Sequence, residues 1–389
     1  MLPLATDTWG PEEYAAIERV TASRRFTYGP EVAAFQQEFA AQFGSKHAIM
    51  VNSGSSANLL ALAGLIYAPD QRLSPGDEIL VPAVSWSTTY FPIHQLGLEQ
   101  RFVDVDRDSL NIDPALLKDA LTEKTRAVMA VNLLGNPCAL SLLSDFCTEN
   151  GLLLIEDNCE SMGARLNNRQ AGTFGVCGTF SSYFSHHIST MEGGVVVTDD
   201  TQVYHTMLSL RSHGWTREQP ADSHLALDED AFVRQFRFVL PGYNLRPLEM
   251  EGAIGREQIR KLDGFVAARR ANARVFQDLF ADCADIAIQT ETGESSWFGF
   301  SMLCQGRLAG RRAELIAAFQ EAGIENRPIV AGNFTRNPVL AHLRHSIGSA
   351  LPVADEIDES GLFIGNHHYD IAEPLQACRE LVDKVASAG

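Results

Sequence analysis

The sequence predicts an α/β fold with a largely parallel sheet covered on both faces. The first observation behind this is that, over residues 1–250, short apolar strands alternate with helical stretches of about 10–15 residues, the pattern of βαβ units. The second is that residues 246–282 switch to one long helical stretch, followed by shorter and less regular elements. The chain has 389 residues, enough for two or three domains at roughly 100–200 residues each. The predicted division is a large domain over 1–250 and, over 251–389, a connecting helix with a smaller C-terminal α+β domain. Internal repeats, low-complexity tracts and long linkers are absent from the sequence.

Residues 30–44 are expected to form a helix, with Pro30 in the first turn and Gly44 at the C-terminal cap. Val32, Phe35, Phe39 and Phe43 recur on one face of it. Strands are expected at 47–51, 77–81, 101–105, 126–131, 152–156 and 194–198. Helices are expected at 55–67, 114–121 and 139–149.

The formal net charge is −18, from 49 acidic and 31 basic residues. This argues against the clustered Lys/Arg surface of a nucleic-acid binder and reads mainly as solubility. The seven cysteines, at 138, 147, 159, 177, 283, 304 and 378, are widely spaced, with no CxxC or CxC. Zinc and iron–sulfur sites therefore gain no support, no metal is expected, and reduced cytosolic thiols fit best. Residues 1–14 lack a basic stretch followed by a long apolar one, so no signal peptide is expected. No apolar run approaches the ~18–20 residues that span a bilayer. A cytoplasmic protein is the expectation.

Four stretches carry candidate chemistry. Residues 52–58, NSGSSAN, lie between a strand and a helix, where exposed amides and hydroxyls suit a phosphate; Ser-rich helix starts also serve simply as N-caps. Residues 154–160, LIEDNCE, end a strand, and in open parallel sheets ligands lie beyond the strand C-termini. A carboxylate at Asp157 could hold a protonated pyridine nitrogen there, or cap the next helix. Residues 179–194 contain adjacent His186 and His187, which cannot share one helix face, so this pair alone makes an improbable metal site. Residues 241–249, PGYNLRPLE, read as a turn entering the long helix.

In this order and at these intervals, the four stretches resemble the sugar aminotransferases of the DegT/StrS family. The match runs from about residue 26 to 262 and includes "FTYGPEVAAFQQEFA", "GDEILVPAVSWSTT", "FVDVDRDSLNIDP", "RSHGW" and "GYNLRPLEMEGAIGREQIRKL". The resemblance implies the aspartate-aminotransferase fold (fold type I), pyridoxal 5′-phosphate or its pyridoxamine form as cofactor, and a homodimer with shared active sites. Carried over by position, Gly54, Ser55 and Ser56 would cradle the cofactor phosphate and Ser181 would add a hydroxyl. Trp86 would stack on the ring, Asp157 would bind its nitrogen, and Glu160 would lie near its hydroxyl. Asn244 would reach the phosphate from the partner subunit.

One position departs from the family. Where relatives carry the lysine that links covalently to the cofactor, this chain has His186, and no lysine lies between Lys124 and Lys261. An imidazole cannot form that link, so the cofactor would be held non-covalently. It titrates near 6.5, so it can take and return a proton. The resemblance then points to a histidine-bearing branch that removes the C3 hydroxyl of a nucleotide-linked 4-keto-6-deoxy sugar, as in colitose biosynthesis. GDP-linked 4-keto-6-deoxymannose is the favoured substrate. L-glutamate would generate the pyridoxamine form, with 2-oxoglutarate and ammonia released.

Three alternatives stand beside it. A CDP-sugar 3-dehydrase coupled to a [2Fe-2S] cluster needs closely spaced cysteines after the histidine, and none occurs between Cys177 and Cys283. An ordinary sugar aminotransferase needs the lysine. A non-catalytic protein that binds the cofactor is the third. His213, in "RSHGW", could reach substrate across the dimer interface or be a packed structural residue. Arg327 and Arg336 are candidates for the glutamate carboxylate or the sugar diphosphate.

Overall fold

The structure, a computed structural model, describes residues 1–225 and 230–388. Helix α1 spans Pro11–Ser23 and α2 spans Pro30–Phe43. Pro30 opens α2, and Gly44 closes it at φ 67. Phe35, Phe39 and Phe43 are buried along one face, and the rings of Phe39 and Phe43 pack on Phe180 of the sheet at 5.2 and 4.7 Å. Each such buried side chain stabilises the fold by roughly 1.5–3 kcal/mol.

The central sheet contains β1 (His47–Val51), β2 (Glu78–Pro82), β3 (Glu99–Val103), β4 (Thr125–Val131), β5 (Leu153–Asp157), β6 (Cys177–Ser181) and β7 (Gly194–Thr198). Strand His345–Ile347 completes it, in the order β1-β7-β6-β5-β4-β2-β3-(345–347). Most neighbours are parallel, but β7 runs antiparallel to both β1 and β6. A parallel return needs a long crossover, usually a helix. The 182–193 segment between β6 and β7 is a loop instead, so the chain turns straight back. Helices α3 (Gly54–Tyr67), α4 (Ser87–Gln95), α5 (Pro114–Ala120), α6 (Leu140–Glu149) and α7 (Thr201–Arg211) connect or follow the strands.

The predicted strands 47–51 and 194–198 match the structure, and the other four lie within two residues of those observed. Strand β6 was not predicted. Its sequence, CGTFS, lacks the branched apolar run by which the other strands announce themselves.

Helix α8 (Glu249–Phe280) leads to a second core. There a four-stranded antiparallel sheet, Ile286–Ile288, Gly299–Cys304, Gly361–Gly365 and Asn326–Arg327 in that order, is flanked by helices Arg312–Glu321 and Ala372–Ser387. Segments of each unit cross to the other. Strand His345–Ile347 pairs with β3, and Leu2, 1% exposed, packs in the second core. Leu2 also bridges Ile324, and the Leu4 amide donates to Glu325 Oε2 at 2.8 Å. Thr6 Oγ1 lies 3.1 Å from His367 Nδ1. Among the described residues no helix is long and apolar enough to cross a membrane.

Candidate active site

The C-terminal ends of β4, β5 and β6 and the N-termini of α3 and α4 open on one cavity of about 460 Å³. This is where an open parallel sheet places its ligands, because the strands end there and the following helices begin.

Asp157 is the last residue of β5 and is 5% exposed. Its Oδ2 accepts from Asn58 Nδ2 at 2.9 Å and from Thr89 Oγ1 at 2.8 Å, and its Oδ1 accepts from the Cys159 amide at 3.1 Å. The donors are themselves fixed. Thr179 Oγ1 donates to Asn58 Oδ1 at 2.6 Å, which turns the amide NH2 toward the carboxylate, and Ser85 Oγ lies 2.8 Å from Thr89 Oγ1. The network keeps Asp157 a pure acceptor with one edge open to the cavity.

Helix α3 starts with Ser53 Oγ accepting from the Ser56 amide at 3.1 Å. The amides of Gly54 and Ser55 precede the first intrahelical bond, from Ala57 N to Ser53 O, and both residues line the cavity. Such a helix start is ready for an anion. Gly54 is needed for the close approach: a Cβ there would sit 2.7 Å from Ser181 Cβ and 2.9 Å from Cys159 Sγ. Gly54→Val is therefore expected to weaken phosphate-cofactor binding about tenfold or more, a loss of about 1.4 kcal/mol. Absorbance titration with pyridoxal phosphate checks it, and unchanged affinity would remove Gly54 from the cradle.

His186 lies on the 182–193 loop. The Ser182 amide donates to Gly193 O and the Phe184 amide to Met191 O, each at 3.0 Å, and Ser182 Oγ lies 2.6 Å from Thr190 Oγ1. Gly193, at φ 154, leaves no room for a side chain, since a Cβ would meet Thr190 Oγ1 at 2.3 Å. The loop is also tied from outside. Trp9 Nε1 donates to Ser189 O at 3.0 Å, and the Ser189 amide donates to Gln258 Oε1 at 3.0 Å. The two adjacent histidines part company: His187 is fully buried with Nε2 3.1 Å from Ser296 O, whereas His186 lines the cavity. Nδ1 of His186 is buried without a partner, which leaves Nε2 as the nitrogen open to the cavity. Burial and the nearby Arg327 and Arg269 guanidiniums pull its pKa down to about 3.

Glu160 lines the same cavity and accepts from the Leu134 amide at 3.0 Å. Burial is the main cause that raises its pKa to about 7; the Leu134 bond opposes this, and the Asp157 carboxylate adds to it. A folded pKa above the unfolded value of 4.5 means that stability is lost as pH rises from about 4.5 through about 7. Glu160→Gln is thus expected to raise Tm relative to the native protein more at pH 8 than at pH 5. A gap independent of pH would remove the buried-acid assignment.

Trp86, the N-cap of α4, is 57% exposed and lines the cavity. So does Arg327, whose guanidinium lies 4.7 Å from the Phe363 ring. The structure thus gathers Gly54, Ser55, Trp86, Asp157, Glu160, Ser181, His186 and Arg327. The other four candidates lie outside this cavity. Ser56 accepts from Ser53 Oγ at 3.0 Å within the helix cap. Asn244 Oδ1 accepts from Arg246 Nε at 3.1 Å, and the His213 ring packs edge-on against Trp215 at 5.1 Å. Arg336 is engaged by Asp355, Asp358 and Glu359 at 2.8–3.3 Å, which leaves it little to offer a substrate anion.

Sequence reasoning missed Asn58 and Thr89, which orient Asp157, and Phe298, whose ring lies 5.2 Å from His186. Thr89 sits in the quoted "SWSTT" and could have been found. Phe298 is remote in sequence and carries no local signal. Among the described residues, no group of His, Cys, Asp and Glu could hold a metal, and all seven cysteines are free.

The sheet order, the lone antiparallel strand and an anion-ready helix start facing a buried carboxylate define a protein of the aspartate-aminotransferase fold. The chain belongs to the DegT/DnrJ/EryC1/StrS aminotransferase family, whose sequence profile matches residues 7–377. It is 51% identical over 385 residues to a GDP-4-keto-6-deoxy-D-mannose 3-dehydratase of Yersinia pseudotuberculosis, covering 98% of each chain. The Escherichia coli GDP-4-keto-6-deoxy-D-mannose-3-dehydratase with bound hydrated PLP superposes with a TM-score of 0.96 at 49% identity, over 98% of this chain and 99% of that one. A structure of the same activity with a trapped PLP–glutamate geminal diamine gives a TM-score of 0.96 at 49% identity, over 98% and 100%.

Proposed function

We propose that the chain is a pyridoxal/pyridoxamine phosphate-dependent 3-dehydratase. It removes the C3 hydroxyl of a nucleotide-linked 4-keto-6-deoxy sugar, with GDP-4-keto-6-deoxy-D-mannose as the favoured substrate and L-glutamate as the amino donor. The observation that carries this is His186 in the cavity where the family's lysine belongs, beside an intact cofactor-binding set. The names of its half-identical relatives support the substrate, the cofactor and glutamate.

The residues present fit the cofactor. The Gly54 cradle is too tight for a side chain, Asp157 presents an acceptor edge, and His186 has a buried nitrogen without a partner. Bound there, the cofactor supplies an electron sink that makes a neighbouring carbon acidic and a β-hydroxyl expellable.

The chain's own residues do the rest. The amides of Gly54 and Ser55, with the Ser181 hydroxyl, would receive the phosphate. Asp157 would hold the ring nitrogen, Trp86 would cover the ring, and Glu160, whose pKa burial raises to about 7, would face the ring hydroxyl. His186 Nε2, neutral at rest, would take the proton from the carbon that the bound cofactor makes acidic and pass it to the C3 hydroxyl, which leaves as water. Arg327 offers a guanidinium to the glutamate carboxylate or the sugar diphosphate. Having no amine at 186, the chain cannot tether the cofactor.

The balance closes: C3 is reduced by two electrons, glutamate is oxidised by two to 2-oxoglutarate, and ammonia leaves. Mass spectrometry of products from GDP-, CDP- and dTDP-4-keto-6-deoxy sugars with pyridoxal phosphate and glutamate tests the reading. A 4-keto-3,6-dideoxy product is expected, formed fastest from the GDP sugar. An amino sugar, or no turnover of any of the three, overturns it.

We also infer a homodimer with shared sites. Phe26, Phe232, Phe236 and Phe238 are all more than half exposed, large apolar rings of the kind an interface covers. Asn244 and His213 belong to the same 212–248 stretch of sequence as three of them. Sedimentation at twice the 42.6 kDa chain mass is expected; a monomer would refute it.

A further inference from the structure

Arg269, on α8, is 5% exposed. Its Nη1 donates to Phe298 O at 3.1 Å and to Asn366 O at 2.6 Å, and its Nε is buried with no partner. Both acceptors are neutral carbonyls. Among the described residues, the one ionisable group that favours its charge is Tyr369, and burial draws its pKa down to about 10, so it remains a cation at neutral pH. A buried cation without a counter-ion is costly, and sequences rarely retain one for packing alone.

What the guanidinium holds lies directly behind the cavity. Trp297 sits at φ 49, a left-handed conformation that a bulky residue adopts only when its surroundings enforce it. Arg269 grips the next carbonyl, that of Phe298. Asn366 locks the same segment, with Nδ2 donating to Trp297 O at 2.9 Å and to Arg269 O at 3.1 Å. The Phe298 ring then lies 5.2 Å from the His186 ring and 5.8 Å from the His187 ring. Four histidines surround this cation, His186, His187, His367 and His368. At each of them burial is the first cause disfavouring a proton, and Arg269 adds to it.

We propose that Arg269 is a positioning residue for His186: its guanidinium holds the strained 297–298 segment against the imidazole and, as a buried cation on the far side of Phe298 from it, helps keep the resting ring unprotonated. The inference rests on the proton-shuttle role given to His186 above. The other ionisable groups around His186 are Tyr183 and Glu192 from its own loop, Asp157, Cys159 and Glu160 at and beyond the end of β5, His187 behind it and Arg327 from the second unit. Arg327 is open to the cavity, and a bound carboxylate or diphosphate neutralises it. Arg269 is sealed away from substrate, so its field persists through the cycle.

The test uses the full-length protein with isotope-labelled histidine, the His186 resonances being assigned by their loss in His186→Asn. In the native protein His186 is expected to stay neutral down to pH 5. In Arg269→Met its titration midpoint is expected to rise by roughly one unit or more, and the acidic limb of kcat/KM to move with it. Arg269→Lys keeps the charge but cannot span both carbonyls. Its midpoint is expected to stay near native while kcat falls about tenfold at unchanged KM.

A native midpoint at or above pH 6, or a folded Arg269→Met with the native midpoint, overturns the electrostatic role. Native kcat in Arg269→Lys overturns the positioning role. Should Arg269→Met not fold, Arg269→Gln, which keeps an N–H donor for the carbonyls without the charge, takes its place in the titration, with the same outcomes. The titration needs no substrate, so a failed dehydration assay beside a shifted midpoint would count against the proposed substrate and not against this role.

Discussion

His186→Asn is expected to lower dehydration by about 10²–10⁴-fold, the range for removing a positioned acid–base group, while leaving cofactor affinity within about twofold. Asparagine keeps a polar side chain of similar reach but cannot exchange a proton near neutral pH. The loss should fall on kcat, because the residues assigned to the phosphate, ring nitrogen and ring face, Ser55, Asp157 and Trp86, are untouched. His186→Lys should lose dehydration as severely and gain what the native chain lacks. A borohydride-reducible link to the cofactor would add the cofactor's mass to the protein, with amino sugar among the products. Intact-protein mass spectrometry and product analysis check the pair. Dehydration at the native rate by either variant would end the assignment of position 186.

Asp157→Asn is expected to cost at least about a hundredfold in kcat, or about 2.7 kcal/mol of barrier. The carboxylate stabilises a protonated ring nitrogen, and an amide of the same shape does not. The surroundings amplify the loss. Asn58 Nδ2, Thr89 Oγ1 and the Cys159 amide all donate to Asp157. An amide can satisfy them with its oxygen alone, leaving a buried donor facing donors, at about 1–3 kcal/mol. A lower Tm without cofactor and a changed visible spectrum with it are therefore both expected. Native turnover in Asp157→Asn would mean that the ring nitrogen is not held here.

The legible parts of the fold were those fixed by local chemistry. Strand ends marked by Pro82, the capped helix from Pro30 to Gly44 and the periodic face of Phe35, Phe39 and Phe43 needed no tertiary information. Strand β6 was illegible because its burial comes from its place at the centre of the sheet and not from its composition. The site divides in the same way. Asp157 and Gly54 sit at strand and helix ends that the sequence marks, whereas Phe298 and Arg269 reach the site through folding contacts across tens to hundreds of residues. The His-for-Lys departure was visible only against a family pattern; taken alone, "SHHIS" is an ordinary pair of histidines. Arg336 shows the converse: its sequence neighbourhood looked suited to an anion, but folding surrounded it with three carboxylates.

Residues 2–9 bridge Ile324, lie against His367 and pin the 182–193 loop. During synthesis they emerge before any of these partners exist. The strap can be fastened only after the second core has formed, so its docking belongs to the last stage of assembly. Until then the loop bearing His186 has one outer tie, to Gln258, and lacks the second, from Trp9.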